Sequence, residues 1–345
     1  MTWIALLLAD PSPCLRWLSL TQLLGYPHTD PEVQELAKLK NTDPILQQLA
    51  KRQAADGSWG AGDLYGSPHN RLLTTSQALM RLGYIGFGRS HPVVASAAAF
   101  ILENQQPDGS WPLPDRFVEE GEKENYDMIP LQTALPLRGL AACGYAIHPQ
   151  AEKAYEWLFN QRLEDGTWPT GTAAGTLGGV AGYRRMPHSR WGCRTNTTGA
   201  LCCLALHPER RHGQAAQRAL DLFLGRQSKE TVNLGFEAAR LIGAEPFRGF
   251  LTYFARFDAG LVLWLCARIG ASVDDVRVKS LVDFVRNQQN LYGLWEYSEK
   301  HQASRWVTYD LLKSLNTIDK AGGWVSFEPH TPFKIEPYDK PRRRQ

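Results

Sequence analysis

Residues Gln105-Gln106-Pro107-Asp108-Gly109-Ser110-Trp111 form one copy of a short pattern that recurs along the chain. Related copies run from Gln53 to Trp59, from Gln161 to Trp168 and from Gln288 to Trp295, and a degenerate copy stands at Gln227. Successive copies are 53 to 66 residues apart, a spacing that suits one pair of long helices per unit. The sequence therefore predicts a repeat protein built from helix pairs.

The second unit shows how each pair is arranged. Apolar residues follow a helical spacing between Pro92 and Gln106, which predicts an outer helix. Pro107 ends that helix, and Asp108-Gly109 forms a turn because glycine adopts positive φ without steric cost. We expect Trp111 to fold back onto the adjacent helix end and the glutamine amide to cap nearby backbone groups.

A second, more apolar helix follows each turn, and these helices predict an inner ring. They span residues 14–24, 70–82, 127–143, 193–206, 250–269 and 304–315. About six inner helices that alternate with five to six outer ones close a ring in which every helix buries its apolar side. The predicted fold is all-α, an α/α toroid. We expect residues 1–318 to form one toroid domain and residues 319–345 to form a Pro-rich basic tail.

Composition narrows the class of partner. The 345 residues carry 38 basic and 35 acidic side chains, and a formal net charge of +3 does not favour a nucleic-acid partner. No stretch predicts a transmembrane segment, and peripheral contact with a membrane stays open. The six cysteines mostly lie in apolar runs without a disulfide framework, which favours a cytoplasmic protein.

The Gln-x(2–5)-Gly-x-Trp turns resemble the QW repeats of squalene–hopene cyclases, and the helix pairs are similar to those of protein prenyltransferase β-subunits. The resemblance implies a toroid of the terpenoid cyclase/prenyltransferase type whose central apolar cavity accepts an isoprenoid. The chain departs from both enzyme groups. It lacks the Asp-x-Asp-Asp acid motif, for which 272–275 (Ser-Val-Asp-Asp) is a better helix cap, and it lacks the Asp-x-Cys of the zinc site. We therefore expect no cofactor and no metal ion.

Inner helices of such a toroid run parallel, so their N-terminal ends gather around one mouth where the helix dipoles favour an anionic group. Asp258 and Asp127 stand at two of these ends and are the candidate proton donors and acceptors. As structure, each is an ordinary acid at a helix start. The candidate substrate-binding residues are polar or aromatic and lie at these ends or on the inner helices: His69, Arg71, Tyr126, Trp191, Arg194, Arg256, Trp264, Arg305 and Trp306.

The predicted function is binding of a small hydrophobic molecule, an isoprenoid diphosphate among the candidates, with acid-initiated cyclisation or isomerisation as the chemistry. One alternative is a non-catalytic binding or scaffold protein on the same toroid. Another is a zinc-dependent enzyme similar to lanthionine cyclases. The ligands to consider for it lie within 20 residues, namely Cys193, Cys202, Cys203, His188 and His207, although Cys193 and Cys203 lie about 15 Å apart along one helix. The oligomeric state and the substrate stay open.

Overall fold

The computed structural model describes residues 2–67, 70–112, 126–173, 176–177, 186, 189–225, 233–247, 258–298, 300–320 and 324. Its helices are α1 Thr2–Leu8, α2 Pro13–Leu18, α3 Pro31–Leu39, α4 Pro44–Arg52, α5 Arg71–Tyr84, α6 Pro92–Glu103, α7 Pro130–Ala142, α8 Pro149–Asn160, α9 Arg194–Leu206, α10 Gln214–Leu224, α11 Phe236–Leu241, α12 Ala259–Ile269, α13 Val276–Arg286 and α14 His301–Lys320. A π-helical turn, Ser19–Leu23, extends α2.

Helices α2, α5, α7, α9, α12 and α14 form the inner ring, and α3, α4, α6, α8, α10 and α13 lie outside it. Neighbouring inner helices are parallel and in close contact, since a Cβ at Gly83 would lie 2.5 Å from the Ala142 carbonyl oxygen. The ring closes where the Tyr309 hydroxyl of α14 lies 2.7 Å from Gln22 Oε1. The predicted all-α toroid is confirmed.

The recurring turns join each outer helix to the next inner one through a buried tryptophan. Each indole N–H donates to a carbonyl ten residues earlier, at 2.6–2.9 Å, and each tryptophan backbone N–H donates to a threonine on the following inner helix, at 3.0–3.3 Å. The tryptophans are Trp59, Trp111, Trp168 and Trp295, and their threonine partners are Thr75, Thr133, Thr197 and Thr308. The rings fold back as the sequence predicts.

Side-chain amides cap these turns, although not always from the expected residue. The Gln53 amide donates to the carbonyls of Gly57 and Val93, both at 2.9 Å. In the second turn Gln105, not Gln106, donates to the corresponding glycine carbonyl at 2.9 Å. In the third turn an arginine, Arg162, takes this place at 3.2 Å. A guanidinium also carries N–H donors and can therefore replace the amide.

Two inner helices begin later than the sequence predicts. Asp127 lies in a short strand, β1 (Tyr126–Met128), which pairs antiparallel with β2 (Thr172–Ala173), and β2 pairs with β3 (Thr176–Leu177). Helix α7 begins at Pro130 because proline is pre-organised for the first helical position. The helix expected over 250–269 is described from Ala259, with Asp258 as its N-cap. Asp275 caps α13, as expected for the 272–275 stretch.

The fourth unit places a short helix inside the ring. Gln227 lies outside the described residues, but α11 packs against α5, α12 and α14. Gly235, at its N-terminus, has φ +86°, and a Cβ there would lie 2.5 Å from Val307 Cγ1. At the other end Arg81 donates to the carbonyls of Leu241 and Ile242, at 3.0 and 3.1 Å. Helix α11 therefore fills part of the centre of the toroid.

The C-terminal boundary differs slightly from the expected one. Helix α14 continues to Lys320, two residues beyond the expected domain end at 318. The Trp324 backbone N–H donates to the Gly270 carbonyl at 2.8 Å, and the Ser272 N–H donates to the Trp324 carbonyl at 2.9 Å. Residues 325–345 lie outside the described residues. The division into toroid and tail stays a prediction.

Candidate functional site

A cavity of about 280 Å³ lies inside the ring of inner helices, beside α11. Its walls come from five inner helices and from α11. The lining residues are Met80, Gly83, Tyr84, Arg138, Ala141, Ala142, Gly144, Leu206, Gly235, Glu237, Ala238, Leu241, Asp258, Gly260, Leu261, Trp264, Arg268, Tyr309, Asp310 and Lys313. This volume lies at the lower end of the range of about 300–1,000 Å³ that is usual for small-molecule pockets. The cavity therefore suits a small ligand.

Asp258 lies on one wall with both carboxylate oxygens bound to backbone donors. Oδ1 accepts from the N–H groups of Gly235 and Gly260, each at 2.9 Å, and Oδ2 accepts from the N–H of Glu237 at 2.7 Å. Burial raises the pKa of Asp258 to about 6, and the backbone hydrogen bonds oppose that rise. This carboxylate fixes α11 against α12, so the predicted acid is also a structural cap.

Asp310 lies in the middle of α14 and differs from Asp258 in its partners. Within the described part of the chain, its carboxyl group has no hydrogen-bond donor within reach. Burial raises the pKa of Asp310 to about 7, Lys313 opposes the rise, and the charges of Asp258 and Glu237 add to it. A substantial fraction of Asp310 is therefore protonated near neutral pH. Of the two aspartates, Asp310 has the freer proton.

Two cationic side chains line the same cavity. Arg268 donates from Nε to the Ala205 carbonyl at 3.0 Å, and its guanidinium lies 5.8 Å from the ring centroid of Trp264. Lys313 Nζ lies 5.8 Å from the ring centroid of Tyr309. Burial lowers the pKa of both groups. Together with Asp310 they make this wall polar.

The rest of the cavity lining is apolar and comes from aromatic and aliphatic side chains. Tyr84, Trp264 and Tyr309 line the cavity, and Trp306 lies behind them with its ring centroid 5.5 Å from that of Tyr84. Trp306 and Tyr309 meet in a T-shaped arrangement with centroids 6.2 Å apart. Such rings bury large apolar area and attract a cation over their faces. The cavity can therefore hold an apolar body and stabilise a positive charge on it.

A buried ion-pair network supports the wall that α11 contributes. Glu237 Oε1 lies 2.8 Å from Arg138 Nη2, and its other oxygen lies 2.6 Å from Arg240 Nη2. Arg240 also lies over the ring of Phe247, 4.5 Å from the centroid. Because these charges pair with one another, Glu237 is better suited to holding α11 in place than to proton transfer.

Of the predicted site residues, Asp258 and Trp264 line the cavity, and Trp306 supports it. Others lie elsewhere. Arg71 is exposed and pairs with Asp56 at 2.5 Å, Trp191 is 36% exposed, Arg194 is buried beside Phe223, and Arg305 pairs with Asp10 at 3.1 Å. His69 and Arg256 lie outside the described residues, as do the side chains of Tyr126 and Asp127. A ligand mouth at the N-terminal ends stays a prediction.

The sequence reasoning missed Asp310 and Lys313. Both lie on the face of α14 that also carries Trp306 and Tyr309, at i, i+3, i+4 and i+7 spacing. Two charged residues on the apolar face of a predicted inner helix are the sequence feature that indicates a site there. Helix dipoles favour an anionic group at helix N-termini, whereas Asp310 and Lys313 lie near the middle of a 20-residue helix.

The cysteines of the zinc alternative, Cys193, Cys202 and Cys203, are buried thiols, and His188 lies outside the described residues. Burial raises the pKa of Cys202 to about 11, and it also raises that of Cys203, whose Sγ lies 3.0 Å from the Ala134 carbonyl oxygen. His207 Nε2 lies 2.8 Å from Glu152 Oε1. Among the described residues, no group of three or more His, Cys, Asp or Glu side chains is arranged to hold a metal ion.

The protein is a helical toroid in which buried tryptophan turns surround a cavity lined by acidic and aromatic side chains. Residues 16–183 match the family model described as the squalene-hopene cyclase C-terminal domain. This match spans just under half of the chain, so the chain is similar to that family over these residues. No curated protein matches it significantly.

Solved structures that resemble the chain include two variants of the type II terpene cyclase MstE from Scytonema. One, in complex with the product merosterolic acid A, is 13% identical, with coverage of 92% of this chain and 86% of that chain and a TM-score of 0.44. The other, in complex with the substrate geranylgeranyl dihydroxybenzoate, is 14% identical, with 92% and 87% coverage and a TM-score of 0.42. A protein from Actinoplanes is 15% identical, with 80% and 98% coverage and a TM-score of 0.32.

No helix within the described ranges is both long enough and apolar enough to span a membrane.

Proposed function

We propose that this protein binds a small isoprenoid or similarly hydrophobic molecule in the cavity beside α11 and that Asp310 protonates it. The observation that carries the proposal is the position of Asp310, which lines the cavity together with Tyr84, Trp264 and Tyr309 and has no hydrogen-bond donor among the described residues. The chemistry is an acid-initiated cyclisation or isomerisation. Asp127 and Asp258 were the acids expected from the sequence, and Asp310 now takes precedence.

The proton donor follows from a comparison of the two cavity aspartates. Asp258 uses both oxygens to accept three backbone hydrogen bonds, and each of these bonds favours the ionised form. Asp310 has no such bonds, and its pKa of about 7 keeps a proton available near neutral pH. Tyr84, Trp264 and Tyr309 line the same space and would stabilise positive charge on the substrate by cation–π attraction.

Arg268 and Lys313 supply the polar end of the ligand site. An isoprenoid diphosphate or carboxylate would place its anionic group against them, because both are cationic groups without a carboxylate at ion-pair distance in the described part of the chain. The apolar part would then lie toward Leu241, Leu261 and Trp264. The anionic group would then lie beside these two side chains and not at the helix N-termini, where the sequence predicts it.

Cavity volume sets the expected ligand size. The cavity of about 280 Å³ lies at the lower end of the range of about 300–1,000 Å³ that is usual for small-molecule pockets. We therefore expect ligands of about ten to fifteen carbons to bind better than a thirty-carbon substrate.

The test is product analysis by mass spectrometry after incubation with ten-, fifteen-, twenty- and thirty-carbon prenyl compounds, with and without a diphosphate. Asp310→Asn should reduce turnover by about 100-fold or more, the upper part of the range for general acid catalysis. Asp319→Asn is the matched control because Asp319 lies on the same helix, is exposed and pairs with Arg286. Equal turnover in the Asp310→Asn variant would remove Asp310 as the acid.

A non-catalytic binding protein is the second candidate. The observation that favours it is the position of α11, which fills part of the space that a cyclising substrate would need in order to fold. Saturable binding of a prenyl compound without any product, in the wild type and in the Asp310→Asn variant alike, would support this function instead.

A further inference from the structure

Lys313 is a half-buried lysine that lines the cavity without a fixed partner in the described part of the chain. In the described part of the structure, its Nζ has no hydrogen-bond acceptor and no carboxylate at ion-pair distance, and the recorded contact is with the Tyr309 ring at 5.8 Å. Lys313 lies seven residues before the end of α14, so it does not cap the carbonyls of its own helix. An ammonium ion in such a place is costly to bury. Burial therefore lowers the pKa of the Lys313 amine below its ordinary value, which increases the fraction of uncharged amine available for attack.

The charged groups around the cavity have opposing effects on the pKa of Lys313. Asp310 on α14 favours a charge on Lys313, and Arg268 on α12 disfavours it, while burial has the largest effect and lowers the pKa of Lys313. Glu237 on α11 pairs with Arg138 on α7 at 2.8 Å. Asp258 on α12 is bound by three backbone N–H groups. Neither carboxylate, that of Glu237 or that of Asp258, lies at ion-pair distance from Lys313, and the Arg138 guanidinium is already paired with Glu237.

We propose that Lys313 is a nucleophile that forms an imine with a carbonyl-bearing ligand of the cavity, an aldehyde or ketone with an apolar body of about ten carbons. Lysines with reactive amines are those desolvated in hydrophobic pockets or placed beside other cations. Lys313 meets both conditions, since aromatic rings flank it and Arg268 lines the same wall. The proposal uses the cavity of the proposed function, but it does not require cyclisation.

Asp310 supplies the proton that imine formation needs. The Nζ lone pair attacks the carbonyl carbon and forms a C–N bond, while the C=O π electrons move to oxygen, which takes a proton from Asp310. The nitrogen returns a proton to the Asp310 carboxylate, and Asp310 passes this proton to the carbinolamine hydroxyl. Water leaves as the C=N bond forms, and the iminium nitrogen gives its remaining proton back to Asp310, which ends the reaction protonated as it began. Asp310 lies one helical turn before Lys313, on the same face of α14. No oxidant or cofactor enters the reaction.

Reductive trapping tests the proposal directly. The full-length protein is incubated with the ten-carbon aldehyde citral, reduced with sodium cyanoborohydride, digested and mapped by mass spectrometry. We expect the Lys313 peptide to be labelled at least ten times faster than peptides with exposed lysines such as Lys279, which is 65% exposed. Excess geraniol, which has a similar apolar body but no carbonyl group, should slow labelling at Lys313 and leave that at Lys279 unchanged.

Two variants complete the test. Lys313→Arg keeps a cation but cannot form the imine, and Lys313→Met keeps the length of the side chain without the charge. Both should lose the fast label, while Lys279→Arg should keep it. Equal labelling of Lys313 and the exposed lysines, or a fast label that persists in Lys313→Met, overturns the proposal. Labelling of Lys313 without any product from prenyl substrates would reject the proposed cyclisation and leave this inference standing.

Discussion

Asp258 accepts a hydrogen bond of 2.7 Å from the backbone N–H of Glu237, and this bond ties the inserted helix α11 to the inner helix α12. The other Asp258 oxygen accepts from Gly235 and Gly260, so one carboxylate holds the N-terminal ends of two helices. The cavity wall that α11 forms therefore depends on Asp258. Its role as an anchor also explains why Asp310 is the better proton donor.

Asp258→Ala should lower the free energy of unfolding by about 2–4 kcal/mol, because it removes an N-cap and leaves buried backbone N–H groups without their acceptor. Chemical denaturation at pH 7 measures this change. The matched control is Asp283→Ala on α13, since Asp283 is exposed and pairs only with Lys279 at 3.0 Å among the described side chains. It should change stability by at most about 0.5 kcal/mol. A similar loss in both variants would contradict the anchoring role.

Because of Asp310, the free energy of unfolding should fall as the pH rises from about 4 to about 7. Its folded-state pKa of about 7 lies above the ordinary 3.8, so the folded protein keeps a proton that the unfolded chain has released. The stability advantage is complete below about pH 4 and is lost as the pH rises through 7. At pH 7 and above, Asp310→Asn should therefore be more stable than the wild type, by at most about 4 kcal/mol.

The measurement is the unfolding free energy of the wild type and of Asp310→Asn at half-unit steps from pH 4 to pH 8. The difference between the two proteins should grow with pH across this window. Asp319→Asn should show no such trend, because Asp319 is exposed and lies outside the cavity. A difference that does not vary with pH would show that the Asp310 carboxyl group titrates normally.

Thr308→Val should test the bond between each tryptophan turn and the next inner helix. The substitution keeps the side-chain volume but removes the acceptor for the buried Trp295 N–H, which lies 3.0 Å from Thr308 Oγ1. We expect a loss of about 1–3 kcal/mol in urea denaturation. Thr317→Val on the same helix is the control, since Thr317 is exposed and bonds only the Lys313 carbonyl in the described structure. Indistinguishable losses would argue against a specific role for these threonines.

Leu241→Ala should enlarge the cavity at the wall formed by α11 and shift binding toward longer ligands. Leu241 is buried and lines the cavity, so its truncation should cost about 2–5 kcal/mol of stability. Fluorescence titration with a series of prenyl alcohols measures the preferred chain length.

Leu140→Ala provides the comparison for that variant. Leu140 is also buried, on α7, but it does not line the cavity. It should lose similar stability without changing the preferred chain length. If both variants shift the preference equally, α11 does not set the size of the ligand.

The sequence determined the toroid because its signals are local and repeated. Each turn needs a glycine for positive φ and a tryptophan that returns to its own helix, as in Gly109, with φ +95°, and Trp111. These requirements are met within a few residues and can be read from the chain. The caps at Asp258 and Asp275 are predictable for the same reason.

Only the tertiary structure decided where the cavity lies. The sequence pattern does not predict that α11 enters the ring. That position depends on the ion pair of Glu237 with Arg138, which is 99 positions away in the chain. The chemistry of Asp310 and Lys313 likewise comes from burial among α5, α7, α11 and α12, not from their neighbours in sequence. Helix termini and turns are specified locally, whereas the pKa of a side chain and the space beside it depend on residues that meet only after folding.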